Sequence, residues 1–133
     1  MRTVTFNLVI GNGDAHSKNY SILIPDGGAV QLAPLYDVAP TLLLYPLSTN
    51  AGHALGGQAR LNYLTLDHLV HEGAAWGVPV EDATETVVEV LERIAAAAAI
   101  TDADSDELGF LKNLVPARAA DLINGGTARR SIR

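Results

Sequence analysis

Apolar and polar positions alternate in two different ways along the chain, and the change comes near residue 65. Before it, short apolar runs are cut by clusters of Gly, Pro and Asn; after it, apolar residues recur at helical spacing. Residues 3 to 10 bring Val4, Leu8 and neighbouring apolar groups to one side of a helix. Gly11-Asn12-Gly13 then offers residues that tolerate a left-handed cap, so the helix ends there. Tyr20–Ile24 and Ala29–Leu32 are short β-like runs on either side of Pro25-Asp26-Gly27-Gly28, which reads as a hairpin. The next stretch, "APLYDVAPT", is too proline-punctuated for regular structure. Residues 41 to 64 mix apolar runs with glycines and are expected to form a hydrophobic loop with short strands.

From Thr65 the pattern is helical. Thr65 can cap a helix whose Leu66, Leu69 and Val70 face inward, with Gly77 and Pro79 stopping it, and Trp76 is expected to anchor that end in the core. Glu81 to Ile100 predicts a longer helix, with acidic residues in its first turns to complement the dipole and Val87, Val90, Leu91 and Ile94 inside. The run "IAAAAAI" fits close helix packing, because alanine is the strongest helix former and lets backbones approach. A helical hairpin or kinked helix is expected from about Asp106 to Ile123, with Pro116 as the kink and Gly125-Gly126 as the stop. The expected fold class is mainly α with a small β-hairpin.

Composition narrows the function. A chain of 133 residues suits one modest domain, with no repeat and no Gly/Ser-rich linker to divide it. Fifteen acidic against nine basic residues give a net charge of -6, which repels a phosphate backbone and argues against nucleic-acid binding. The tail "ARRSIR", within a basic segment 127–133, lacks the aromatic partners of a nucleic-acid arm and reads as a solvated terminus. With no cysteine there is no disulfide, thiol nucleophile or thiolate-bound zinc, which fits a reducing cytoplasm. The N-terminal apolar run is too short and interrupted for a membrane span.

One loop carries more polar chemistry than a bend requires. In "IGNGDAHSKNYSIL" the turn needs only Asn12-Gly13, so Asp14, His16, Lys18 and Asn19 are surplus to turn-making. Kinases need a carboxylate near the attacking hydroxyl, with an amide oxygen and a further carboxylate holding magnesium against the nucleotide phosphates. Asn19 comes five positions after Asp14, the offset between catalytic Asp and metal-binding Asn in protein kinases, and a hairpin then leads to Asp37. Taken singly, each residue has a plainer use: Asp14 in a turn, Asn19 bonding loop backbone, Asp37 capping the segment after it.

The loop "GNGDAHSKN" together with "LAPLYDVAPT" resembles the C-terminal lobe of the HipA-like serine/threonine kinases, the toxin kinases of bacterial toxin–antitoxin modules. The likeness continues more loosely through "LGGQARLNYLTLDHLVHEGAAWGVP" and the helices beyond. It implies a protein-kinase-like C-lobe over residues 1–126, a helical bundle around a catalytic loop at 11–19, with a hairpin at 20–32, a metal-Asp segment at 33–40 and a helical part at 65–124. It further implies a catalytic base at Asp14, magnesium ligands at Asn19 and Asp37, and ATP contacts from His16, Ser17, Lys18, Asn19, Tyr36 and Asp37. A protein substrate is implied too, a translation factor such as an aminoacyl-tRNA synthetase by family analogy, with an antitoxin or an N-terminal kinase lobe as partner. Family members carry a nucleotide-gripping lobe before this region, whereas this chain begins a few residues before the loop, so it reads as a C-lobe fragment, the product of a truncated gene, or one half of a split kinase. The apolar run Leu42 to Tyr45 is then expected to be covered by packing within or between lobes.

Other readings stay open beside this one. His16 either braces the loop or takes part in chemistry, and Lys18 meets a phosphate or only solvent. "GDAH" could be the Asp-x-His of a metal-dependent phosphoesterase, but the further Asn and His ligands such a site needs are not evident. A non-enzymatic module that binds an antitoxin or a complementary kinase half is the third. His68, His71 and Glu72 share the polar face opposite Leu66 and Leu69 and read as solvated, and His53, in a glycine-flanked loop, is given no role.

Overall fold

The computed structural model describes residues 1–44 and 49–128; Tyr45 and the basic tail beyond 128 lie outside them. The N-terminal helix, α1 (Arg2–Ile10), carries no charge after its first residue and buries Val4, Thr5, Asn7, Leu8 and Val9, more of its circumference than one stripe. It is a central helix, packed on both α4 (Val80–Ile100) and α5 (Asp106–Ile123). A third long helix, α3 (Leu66–Ala75), packs on α4 from another side. The core joins Leu8 and Val9 of α1 to Leu69 of α3, Val87 and Leu91 of α4, and Val115, Ala119 and Leu122 of α5.

Local signals explain the helix boundaries. Gly11 closes α1 in the left-handed conformation at φ 81. Thr65 caps α3 in a capping box whose return arm is His68: the Thr65 N–H donates to His68 Nδ1 at 3.2 Å. Gly77, at φ 83, ends the same helix. Ser105 caps α5, which runs as one helix through Pro116. Pro116 has no N–H to give the Lys112 carbonyl, a defect that interior packing of α5 against α1 and α4 absorbs.

Between α1 and α3 lie two small antiparallel sheets. β1 (Ile22–Leu23) and β2 (Gln31–Leu32) form the expected hairpin, Ile22 facing Leu32 and Leu23 facing Gln31, closed by a turn in which the Gly28 N–H reaches the Pro25 carbonyl. A second hairpin occupies the stretch whose sequence predicts a loop with short strands: β3 (Asn50–Leu55) and β4 (Gln58–Arg60), joined by Gly56-Gly57 with φ 54 and 84. Two consecutive positive-φ glycines make the tight turn that right-twisted strands prefer. A short helix, α2 (Thr41–Leu44), precedes it.

Three side-chain expectations, at Trp76, His68 and Glu72, are corrected. Trp76 is not a core anchor but 50% exposed, because the left-handed turn at Gly77 swings the chain away from the core at that point. His68 and Glu72 are half-buried rather than solvated, since one completes the cap of α3 and the other accepts the Gly56 N–H at 2.8 Å. Leu42, in the apolar run, is already buried beneath Gly11, whereas Leu44 is open. The fold also continues past residue 126: Ala128 is buried, its N–H donating to the Leu64 carbonyl.

Candidate active site

The polar loop leaves α1 at its C-terminal end and is held from below by a chain of buried amides. Asn7 donates to the Tyr20 hydroxyl at 3.2 Å, Asn12 donates to Asn7 Oδ1 at 3.1 Å, and Asn12 Oδ1 accepts the Asp14 N–H at 3.0 Å. Each amide thus uses its donor and acceptor in series, which satisfies groups that burial would otherwise penalise. From the side, α2 clamps the loop: Thr41 Oγ1 accepts the Gly13 N–H at 2.6 Å and the Leu42 N–H meets the Gly11 carbonyl.

This scaffold leaves the Asp14 carboxylate outward, 65% exposed, while its backbone is fully engaged. The Asp14 carbonyl accepts the His16 N–H at 2.8 Å and the Asn19 Nδ2 at 2.9 Å. Asn19, on a single 3-10 turn spanning Ser17–Asn19, therefore folds back onto Asp14 with Nδ2 spent and Oδ1 free of any protein donor among the described residues. His16 places Nε2 3.5 Å from Asp14 Oδ1, an ion pair whenever the imidazole is protonated. Ser17 and Lys18 are exposed at the rim.

Tyr36 and Asp37 reach the same loop from the far side of the first hairpin. The Tyr36 hydroxyl donates to the Lys18 carbonyl at 3.0 Å and lies 2.8 Å from Ser21 Oγ, so the phenol ties the two segments together. Asp37 comes next with φ 52, the one positive-φ residue other than glycine among the described residues, and its side chain is exposed. Aspartate tolerates that conformation better than most residues, and such strain collects at functional sites. Asp14, Asn19 and Asp37 therefore belong to two segments joined by one phenol, with oxygen donors of the kind a hard divalent cation takes. No group of three or more His, Cys, Asp or Glu side chains among the described residues forms a metal cluster of its own.

The sequence reading missed the supporting residues. Asn7 sits inside an apolar run, and an uncharged amide there looks like a tolerated exception. His53, assigned no role, turns its Nδ1 to the Ala15 carbonyl at 3.1 Å.

The HipA-like C-terminal domain family matches residues 1–98. The chain belongs to that family. Among curated proteins it is 37% identical over 98 residues to "Putative kinase Y4mE" of Sinorhizobium fredii, covering 65% of this chain and 23% of that protein. It is 30% identical over 96 residues to "Putative kinase Y4dM" of the same organism, covering 72% of this chain and 24% of the relative. The chain thus spans about a quarter of the length of the curated relatives it matches. Among solved structures, the HipA of Shewanella oneidensis MR-1, determined as a toxin–antitoxin complex with HipB and operator DNA, superposes with a TM-score of 0.78 at 23% identity, over 99% of this chain and 33% of that one. This HipA-like domain has the kinase-like fold expected of it, mostly helical with two small antiparallel sheets. No helix among the described residues is long and apolar enough to cross a membrane.

Proposed function

We propose that the chain is the catalytic lobe of a HipA-like serine/threonine protein kinase, transferring the γ-phosphoryl group of ATP to a protein hydroxyl together with a nucleotide-gripping lobe. The observation that carries this reading is the return of the Asn19 side chain onto the carbonyl of Asp14, with Tyr36 binding the Asp37 segment to the same loop. The Asp14 carboxylate orients the substrate hydroxyl and accepts its proton as the new oxygen–phosphorus bond forms and the β–γ bridging bond breaks, releasing ADP. Asn19 Oδ1 and the Asp37 carboxylate suit magnesium, which when bound supplies charge neutralisation along the phosphates. His16, Ser17, Lys18 and Tyr36 line the phosphate side, Lys18 as a point charge and Ser17 as a hydroxyl donor. His16 braces Asp14 in the free protein and must yield that carboxylate to substrate.

The domain works in the cytoplasm, with an antitoxin or an upstream kinase lobe as partner and, by analogy with the family, a translation factor as the substrate class. Its net charge of -6 weighs against direct nucleic-acid contact. The test is a radiolabelled phosphoryl-transfer assay with the nucleotide-gripping lobe of a longer relative supplied by fusion or in trans. Magnesium-dependent labelling of a protein hydroxyl, abolished by Asp14→Asn, supports the reading. Absence of transfer from a fusion that binds nucleotide leaves a non-enzymatic module instead.

A further inference from the structure

The strand that runs behind the loop touches it more closely than packing alone requires. An added Cβ at Gly52 of β3 would stand 2.6 Å from both the Ala15 carbonyl carbon and the His16 nitrogen. One at Gly13 would stand 2.6 Å from the Asn50 carbonyl oxygen. Loop and strand therefore meet backbone to backbone from residue 13 to residue 16, at distances no side chain permits. The next residue on the strand is His53, whose Nδ1 donates to the Ala15 carbonyl at 3.1 Å.

The far end of the same hairpin is fixed as firmly. Leu55 is buried in the core, the Gly56 N–H is held by Glu72 of α3, and a Cβ at Gly56 would stand 2.5 Å from the His68 carbonyl oxygen. β3 is thus a strut from α3 to the loop. Asp14 itself is gripped by Asn12 at its N–H and by Asn19 and His16 at its carbonyl. The peptide after it has one side-chain partner among the described residues, and that partner is His53.

We infer that His53 is a positioning residue for Asp14, acting through the Ala15 carbonyl, and that Gly52 is glycine so that β3 can come close enough for it to do so. The inference rests on the phosphoryl-transfer reading for its consequence in catalysis, but not for its structural content. By holding Ala15, His53 fixes the backbone on the C-terminal side of Asp14 and hence the base from which its carboxylate is aimed, a carboxylate that only His16 among the described residues faces directly. A rotation there would move the reacting oxygen, and displacements near 1 Å cost on the order of 10²-fold in rate.

Two measurements separate this inference from the kinase reading. In the full chain, amide hydrogen exchange at His16 and Asn19 is monitored by NMR in His53→Phe and His53→Asn. The phenyl ring removes the donor, while the asparagine amide can replace Nδ1. Exchange in His53→Phe is expected to rise about fivefold at those two amides, the loss of one hydrogen bond, with the amides of Leu91 and Ala119 unchanged, and His53→Asn should restore it. Unchanged loop exchange, or an equal rise throughout the core in both variants, overturns the inference. Should His53→Phe fail to fold, Gly52→Ala serves: shift changes confined to residues 13 to 19 support the strut, and none there overturns it. In the enzyme completed by an upstream lobe, His53→Phe should lower turnover roughly 10- to 100-fold with nucleotide affinity and substrate KM unaltered, and His53→Asn should recover it. A wild-type enzyme that transfers nothing sinks the kinase reading, while the exchange measurement still decides His53.

Discussion

Arg118 is the largest fully buried side chain of the domain, and its replacement is the sharpest test of how the fold holds the loop. From α5 its guanidinium reaches across the core to donate to the Ala128 carbonyl at 2.8 Å and the Leu8 carbonyl at 3.0 Å, with Nε finding no partner among the described residues. The Leu8 carbonyl lies in the last turn of α1, where helix ends lack donors and favour a cation. Burial pushes the pKa of Arg118 down to about 10, with nearby Asp121 opposing the shift. Relative to a free guanidinium, that depression corresponds to roughly 3 kcal/mol of cost for keeping the charge inside. Two hydrogen bonds from a charged donor return about 3–6 kcal/mol. Arg118→Met forfeits the bonds and recovers the burial cost, so the net loss should lie between about 0 and 3 kcal/mol, or up to roughly 10 °C in Tm for a chain of this length.

Arg118→Lys discriminates the cause. If only positive charge at the end of α1 mattered, lysine would rescue; if the planar fork spanning two carbonyls matters, a single ammonium cannot serve both and the loss should equal or exceed that of Arg118→Met. The sign of the pH dependence is also fixed. Because the folded pKa is depressed, the burial cost is present in full at every pH below 10 and is lifted only above it, so the difference between wild type and Arg118→Met should be flat from pH 6 to 9. Thermal and urea unfolding of the isolated chain, monitored by circular dichroism, measures all three proteins. A lysine variant within about 0.5 kcal/mol of wild type, or a methionine variant more stable than wild type as some buried ion pairs allow, would refute the argument.

The site and its surroundings yield three further outcomes. Asp14→Asn keeps the loop's shape but removes the proton acceptor, so turnover of the reconstituted kinase should fall by a factor on the order of 10² or more, with nucleotide affinity, read by calorimetry, unchanged. Asn19→Ala and Asp37→Asn should each weaken magnesium-dependent nucleotide binding as well as turnover, and raising magnesium should partly rescue the milder of the two; an unaltered magnesium dependence in both would remove them from the metal site. Ile22 and Leu32 share one face of the first hairpin, and Ile24 and Val30, two residues along and just beyond the paired strands, add to the apolar surface, each more than half exposed; the isolated chain should therefore self-associate, and a clean monomer in sedimentation that binds no apolar dye would count against an unpartnered face.

Legibility in the sequence divides along a physical line. The three long helices, the first hairpin and the left-handed stop at Gly11 are readable because each depends on local periodicity or on a residue with special φ, information that a short window contains. The sequence predicts short strands between residues 41 and 64, but their pairing into a second hairpin escapes such a reading although Gly56-Gly57 is a two-residue turn signal, because the residues of β3 alternate only weakly in hydropathy, even though their burial alternates, and its partner β4 is three residues long. Arg118 escapes it for a different reason. It falls four residues after Leu114 and four before Leu122, on the inward face of α5, so the spacing points to burial, but a charge at such a position is ordinarily read as an exception to the stripe.

The chemistry itself stands out for the same reason that its supports do not. Asp14, Asn19 and Asp37 carry side-chain oxygens that no backbone donor among the described residues uses, and surplus polarity in a loop is visible in a string of letters. Asn7, Asn12, Thr41 and His53 are polar residues spent on holding the loop, through one or more side-chain hydrogen bonds each, and their use depends on partners up to 38 positions away. Removing any of these supports should change the aim of Asp14 without touching its chemistry. Loss of rate with retained nucleotide affinity is then common to both classes, and only rescue by a variant that restores the same hydrogen bond tells them apart: it can succeed at His53 and cannot at Asp14, where the function is a proton and not a position.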